Sequence, residues 1–446
     1  MKADGALSSA EPAAAEGQLV RALRRRDIIG FLLNVMLGAG MLTAPAKVYG
    51  LVDGWGLLVL LASALAVLPV ILCFAELGSR FSGTGGPYLY ARAALPPWIA
   101  FASGWMLWVA QALGAATLSN LFVSYLAGYV PALGEGAGRI LALGAVGLVC
   151  TGIVLVGIRQ AAGASNLVIA VKLAFIALFL AAVLPFAQMD RLAPAAPPPA
   201  ATPFIQAMLI FIFGYSGFER AALVAGEARD PRRDVPASLL FALALVTAVF
   251  ALAFVACVGV LADPAANDRP FAEAGRTLYG PLGAAVVSAG ALAVTLGTLL
   301  VIVVSMPRNL LALAEHGEVP ALLARIHPRW RTPHVAIVVS SLVGFGAGMV
   351  SDLLSALTMS TAARLVVYIL ACVALIRLVG RAQAPPAAFR LPFARVAAVA
   401  AILSMAAVVA FGATKELPAL AGVLAAGFVV MLATRAARRR TIPKGS

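Results

Sequence analysis

Two short stretches carry backbone that could do chemistry. Residues 36–42 read MLGAGML and lie inside an apolar run that starts at Ile28; residues 213–219 read FGYSGFE inside another. Glycine is a poor helix former, and hydrocarbon leaves every unpaired peptide group unsatisfied, so a soft turn at mid-membrane is tolerated only where it lines a cavity or is buried in protein. An unwound turn frees amide N–H and C=O groups that a helix would consume. The N-terminus of a half-helix favours an anion, and freed carbonyls favour a cation or an ammonium. A site with both suits a zwitterion such as an α-amino acid. Two interrupted segments at corresponding positions of two halves point to an inverted-repeat transporter with its site at the bilayer midplane. The competing reading is that these glycines serve only close helix packing.

Ionisable residues inside apolar runs come next. Lys172 lies in NLVIAVKLAFIALF, where an ammonium costs about 2.5–3.5 kcal/mol on insertion scales. It is too deep to reach water, so it should face the bundle. An ionisable group at that depth is either functional or a structural tie between helices. Glu219, Arg220 and Arg364 also fall within spans. An acid and a base there offset each other's desolvation if they meet, and the sequence leaves open whether Glu219 takes Arg364, takes Arg220, or faces water. Glu76 and Glu227 sit at span ends near Arg80, Arg229, Arg232 and Arg233; they are expected to form latch pairs, and as exposed pairs would contribute little. Gly114, Ala115 and Ser216 are small, and no acid is placed to receive a cationic side chain, so a neutral amino acid is favoured.

The elements that must position these groups are membrane helices. The chain has 446 residues, 62% hydrophobic and 12% charged, with a mean hydropathy of +0.98. About 20 apolar residues cross the hydrocarbon core as a helix, which makes the fold class an all-α polytopic membrane protein. The apolar runs are continuous rather than alternating, which excludes a β-barrel. Twelve spans are predicted, at about 28–49, 55–78, 98–129, 140–158, 164–186, 203–226, 237–262, 278–307, 334–350, 353–379, 394–413 and 417–434. Of the 33 Lys and Arg, 24 then fall on the side of the tails and 6 on the other, with 3 inside the spans. That asymmetry places both termini in the cytoplasm, and with no cleavable signal the expected setting is the plasma (inner) membrane of a bacterium. The terminal clusters RALRRR and RAARRR read as topology anchors, not as nucleic-acid sites. The four cysteines read as small buried hydrophobes, and neither a metal nor a cofactor is expected. An integral-membrane enzyme lacks its constellation here, with no metal spacing, nucleophile–base pair or phosphate loop. A channel would need a lining ring or filter.

At these residues the chain resembles the amino acid–polyamine–organocation transporters. GAGML (38–42) resembles the break in their first span, and FGYSGFE with GEARDPRRDVPASL (226–239) is similar to their sixth span and following loop. FAELGSRFSGTGGPYLYARAAL (74–95), PRNLLALAEHGEVP (307–320) and HPRWRTPHVAI (327–337) add to the match. The resemblance implies a LeuT-type 5+5 inverted repeat plus two extra helices: a tail at 1–27, repeat one at 28–186, repeat two at 203–380, further spans at 394–436, and a second tail at 437–446. It implies secondary transport of amino acids or related amines by alternating access, without a required partner subunit. Gly38, Ala39 and Gly40 would hold the substrate carboxylate, with Ala39 standing where many members carry a hydroxyl. Carbonyls of Met36, Phe213, Gly214 and Ser216 would take the ammonium, and Tyr215 and Phe218 would gate or shape the pocket. By the same resemblance Lys172 would lie against the first break and span 8, in the place of a sodium ion, making transport sodium-independent and proton-linked, a symport. The alternative is an exchanger or exporter of polyamines or cationic amino acids.

Overall fold

A computed structural model describes residues 24–81, 86–156, 161–194, 197–220, 229–381 and 384–441. Every regular element among the described residues is helical: α1 (Arg25–Met36), α2 (Ala39–Val52), α3 (Gly56–Arg80), α4 (Pro87–Ala94), α5 (Pro97–Leu126), α6 (Gly136–Val156), α7 (Ala161–Val183), α8 (Ala201–Tyr215), α9 (Pro231–Val260), α10 (Pro270–Glu315), α11 (His334–Val350), α12 (Leu353–Leu378), α13 (Ala394–Gly412) and α14 (Leu417–Thr441). Proline opens α4, α5, α9 and α10, where its missing N–H costs nothing. The Asp352 carboxylate caps α12 by accepting from the amides of Leu354 and Ser355. α10 is kinked at Tyr279–Gly280, where Gly280 has φ +65° and Pro281 follows.

Among the described residues ten stretches are, by length and composition, able to cross a membrane, and α11 is a shorter apolar helix. One of the ten, 39–80, joins α2 to α3 through a turn at Asp53, whose φ is +53°. Among the described residues the sixth stretch ends its α-helix at Tyr215 and continues as a 3-10 turn, Phe218–Arg220; the rest of the span expected to run to 226 lies outside the described residues.

α5 is the centre of the bundle: 89% of its most apolar window is buried in protein, against 22% for α14. It packs against α10, α11 and α12. Small residues make this possible, because association inside a bilayer rests on close van der Waals packing and not on hydrophobic burial. Gly344 and Gly348, one turn apart on α11, lie over Ala112, Ala115, Ala116 and Ser119 of α5. α2 packs on α8, α1 on α9, and α3 on both α8 and α9. Toward the periphery Leu65, Leu141, Leu148, Leu178 and Leu403 are exposed, which leaves apolar faces for lipid.

Candidate functional site

The first interruption falls at Leu37 and Gly38. Leu37 (φ −83°, ψ 86°) leaves the helix, and Gly38 (φ −140°, ψ −136°) starts the next. The Gly38 amide would bond the Asn34 carbonyl in a continuous helix; it donates instead to Met36 O at 3.1 Å. Asn34 O is thereby released. At the start of α2 the amides of Ala39, Gly40 and Met41 have no carbonyl one turn earlier in their helix, and no side chain caps them.

The second interruption falls at Ser216 and Gly217. Ser216 turns extended (φ −63°, ψ 150°), and Gly217 has φ +112°, which other residues rarely adopt, with Val35 packed where a Cβ would go. The Gly217 amide donates to Glu219 Oε2 at 2.8 Å.

Gly40 and Gly214 do something different. Both lie inside helix, and a Cβ on Gly40 would stand 2.5 Å from Gly214 Cα. These two are the contact at which α2 crosses α8, so for them close packing is the structural role. The breaks sit slightly aside, at Leu37–Gly38 and Ser216–Gly217.

Lys172 of α7 is buried. Its ammonium donates to Asn34 O at 2.7 Å and to Thr298 Oγ1 of α10 at 2.8 Å. Thr298 in turn donates to Val294 O at 2.9 Å. The carbonyl freed by the first break is therefore held by the one lysine at mid-membrane depth. Thr298 is a partner the sequence did not single out; a threonine in the apolar run TLGTLL was the available signal.

A small cavity of about 30 Å³ lies where the breaks meet. Gly38, Ala39, Gly40 and Met36 line it from the first interrupted helix, and Phe213, Gly214 and Ser216 from the second. Gly114 of α5 and Thr298 and Ile302 of α10 complete its apolar side. Two further wall residues, Arg220 and Arg364, had been considered from sequence only as ion-pair candidates.

Glu219 and Arg364 do meet. Arg364 Nη1 lies 2.9 Å from Glu219 Oε1, and Tyr368 donates its hydroxyl to Glu219 Oε2 at 2.9 Å. Both charged side chains are buried. Among the described residues Arg220 Nε and Nη1 and Arg364 Nε have no hydrogen-bond partner.

Four of the residues singled out from sequence have their groups engaged elsewhere or in another setting than expected. Tyr215 does not face the cavity: its ring stacks on Phe250 and its hydroxyl pairs with Thr247 Oγ1 at 2.9 Å. Phe218 packs instead among Phe74 and Tyr368. The Phe213 carbonyl already accepts from the Ser216 amide at 3.1 Å and the Ser216 hydroxyl at 2.6 Å, which uses both of its lone pairs. Glu76 is not an exposed latch. It is buried against Arg80 and accepts from the Leu391 amide at 2.9 Å, while Arg80 donates to Pro385 O; the segment before α13 folds over the pair. Glu227 lies outside the described residues.

Toward the opposite end a larger cavity of about 930 Å³ opens between α5, α10 and the α11–α12 turn. Its wall is polar and charged. It includes Arg139, Arg269, Arg276 and the ion pair of Lys47 with Asp268 at 2.7 Å. Asp352 is part of it. Burial works against ionisation there, but the Ser355 hydroxyl and the Ser355 and Leu354 amides outweigh it and hold the carboxyl below its ordinary range. Along α5 the residues of this vestibule, Asn120, Leu121, Val123 and Ser124, follow soon after Gly114 and Leu118 of the inner cavity.

Known transporters resemble this chain over most of its length. An uncharacterised transporter of Mycobacterium tuberculosis is 30% identical over 414 residues, covering 87% of this chain and 91% of that protein. A methylthioribose transporter of Bacillus subtilis is 27% identical over 399 residues, covering 84% and 85%. A branched-chain amino acid permease of the same organism is 26% identical over 340 residues, covering 71% of each chain. These relatives are transporters, not enzymes. The family model described as amino acid permease matches residues 23–433, and the chain belongs to that family of secondary transporters, within the amino acid–polyamine–organocation superfamily.

Proposed function

We propose that the protein is a proton-linked, sodium-independent secondary transporter of α-amino acids, working by alternating access. The observation that carries this is the cavity at the crossing of two interrupted helices, with bared amides on one side and carbonyls on the other. The carboxylate would be taken by the amides of Ala39 and Gly40 beside Gly38, at the N-terminus of α2, where the helix dipole favours negative charge. The ammonium would be taken by carbonyls of Met36, Gly214 and Ser216. A volume of about 30 Å³ holds about two waters, so binding must widen the cavity. α2 and α8 meet backbone to backbone at Gly40 and Gly214, so at that point no side chain has to be unthreaded for them to part.

Lys172 supports the coupling. Its ammonium sits among a carbonyl and a hydroxyl oxygen, the kind of oxygen set that would otherwise suit a hard cation. A protein-borne charge in that place needs no sodium. Loss of its proton would break the tie between α7 and the released carbonyl of α1, and so favour one state of the cycle over the other. The architecture proposed with this is twelve spans in a LeuT-type 5+5 repeat with two added helices, both termini cytoplasmic, in the bacterial inner membrane. The 930 Å³ vestibule would then open outward, since Lys47, Arg139, Arg269 and Arg276 are assigned to that side.

Polyamines and cationic amino acids fit less well. They would bring positive charge against Arg220 and Arg364 in the cavity wall. The test is uptake of labelled amino acids into proteoliposomes under separately imposed pH and sodium gradients. Accumulation should follow the proton gradient; accumulation driven by sodium and indifferent to pH would remove the coupling proposal.

A further inference from the structure

The cavity has more positive charge than its own residues neutralise. Lys172, reaching Thr298 at its rim, and Arg220 and Arg364 in its wall are three cations. Among the described residues Glu219 is the one acid in contact with them, and it is bound to Arg364. An arginine stays protonated in proteins, and a buried charge without a partner is strongly destabilising. Intramembrane ionisable residues are conspicuous for that reason and commonly mark a ligand path. Arg220 is the sharper case. It is 4% exposed, it lines the cavity, and neither its Nε nor its Nη1 has a hydrogen-bond partner among the described residues. Arg364 spends Nη1 on Glu219 and leaves Nε unpaired. A zwitterion brings no net charge and leaves this excess as it was. Guanidinium forks match carboxylates through parallel N–H donors.

We propose that the preferred substrate is an amino acid whose side chain ends in a carboxylate, received by Arg220 with Arg364 beside it. This rests on the amino acid reading above and replaces the preference for a neutral side chain drawn from sequence. The α-amino and α-carboxylate groups would sit at the bared backbone of the breaks, and the second carboxylate at the guanidinium end.

The experiment is uptake and competition in proteoliposomes of the full chain, with glutamate, aspartate, alanine, leucine, lysine and succinate as probes. Glutamate or aspartate should be taken up with at least a tenfold higher kcat/KM than alanine or leucine. Arg220→Gln should lower that ratio at least tenfold, and Arg220→Lys should lower it less. Because Arg220→Gln removes an uncompensated charge, its melting temperature should equal or exceed that of the wild type; a lower one would mark Arg220 as structural and overturn the proposal. Transport of alanine or leucine with no competition from the acidic amino acids would also overturn it, while leaving the amino acid reading intact. Succinate competing as well as glutamate would keep the anion site and defeat the amino acid reading, since succinate has no amine.

Discussion

Replacing Lys172 by methionine separates a coupling role from a structural one. Methionine fills a similar volume without a charge or a donor. In the structure the ammonium satisfies Asn34 O and Thr298 Oγ1. Removing it leaves a buried backbone acceptor unpaired, at a cost of about 1–3 kcal/mol. Thr298 loses less, because its own proton still goes to Val294 O. Against this stands the cost of holding an ammonium at mid-membrane, about 2.5–3.5 kcal/mol on insertion scales, which disappears with the charge. The opposing terms cancel to within about 2.5 kcal/mol, so Lys172→Met should fold and melt close to the wild type. Its transport should not behave like the wild type: uptake should become insensitive to an imposed pH gradient and lose concentrative power while exchange across equal pH persists. The assay is thermal melting in detergent alongside proteoliposome uptake between pH 6 and 8. A variant that melts normally and still concentrates substrate along a proton gradient would refute the coupling argument. A variant that unfolds would assign Lys172 to the structure alone.

Gly40→Ala should destabilise by about 1–3 kcal/mol or more, since its Cβ would meet the Gly214 backbone at 2.5 Å and backbone cannot yield as a side chain can; Gly30→Ala, with open space around it, should be stabilising by about 0.5–1 kcal/mol, and melting curves of the two variants provide the comparison. Glu219→Gln should cost about 3–5 kcal/mol by stranding the buried Arg364 guanidinium, and adding Arg364→Met should restore part of the loss, measured as a double-mutant cycle. Asp352→Ala should cost about 0.5–2 kcal/mol through the lost cap of α12. The Asp352 carboxyl is held below its ordinary range in the folded chain, so its contribution is fully present above about pH 4 and fades as pH falls below that; the difference in melting temperature between wild type and Asp352→Ala should shrink in the same direction.

The sequence made the two interruptions legible because glycine clusters recur at corresponding positions of two spans. It could not sort the glycines by task. Gly38 and Gly217 take the non-helical turns, while Gly40 and Gly214 bring two helices together, and both tasks ask for the same missing Cβ. Lys172 was recognisable from depth alone, but its partner Thr298 depended on the register of α10 against α7, which a helix apolar on every face does not encode. The same uniformity hid the direction of Tyr215, since without an amphipathic pattern nothing marks which side of α8 meets the cavity; Phe218 lies past the break, in a 3-10 turn whose direction the sequence does not encode. Glu76 looked exposed because it sits near a span end. The strand of chain that buries it arrives about 310 residues later, at Phe389 and Leu391, and contacts of that range leave no local trace. Arg220 and Arg364 were visible as costly residues, and only the fold places them around one space.

The central claim is that bared peptide groups at two helix breaks hold both ends of an α-amino acid. It is tested most directly by competition against labelled uptake in proteoliposomes, using one transported amino acid, its N-acetyl derivative and its carboxamide. The first derivative removes the ammonium meant for the carbonyls of Met36, Gly214 and Ser216, and the second removes the carboxylate meant for the amides at the start of α2. The account predicts that the parent competes and that each derivative loses at least tenfold in apparent affinity. Derivatives that compete as well as the parent would contradict it.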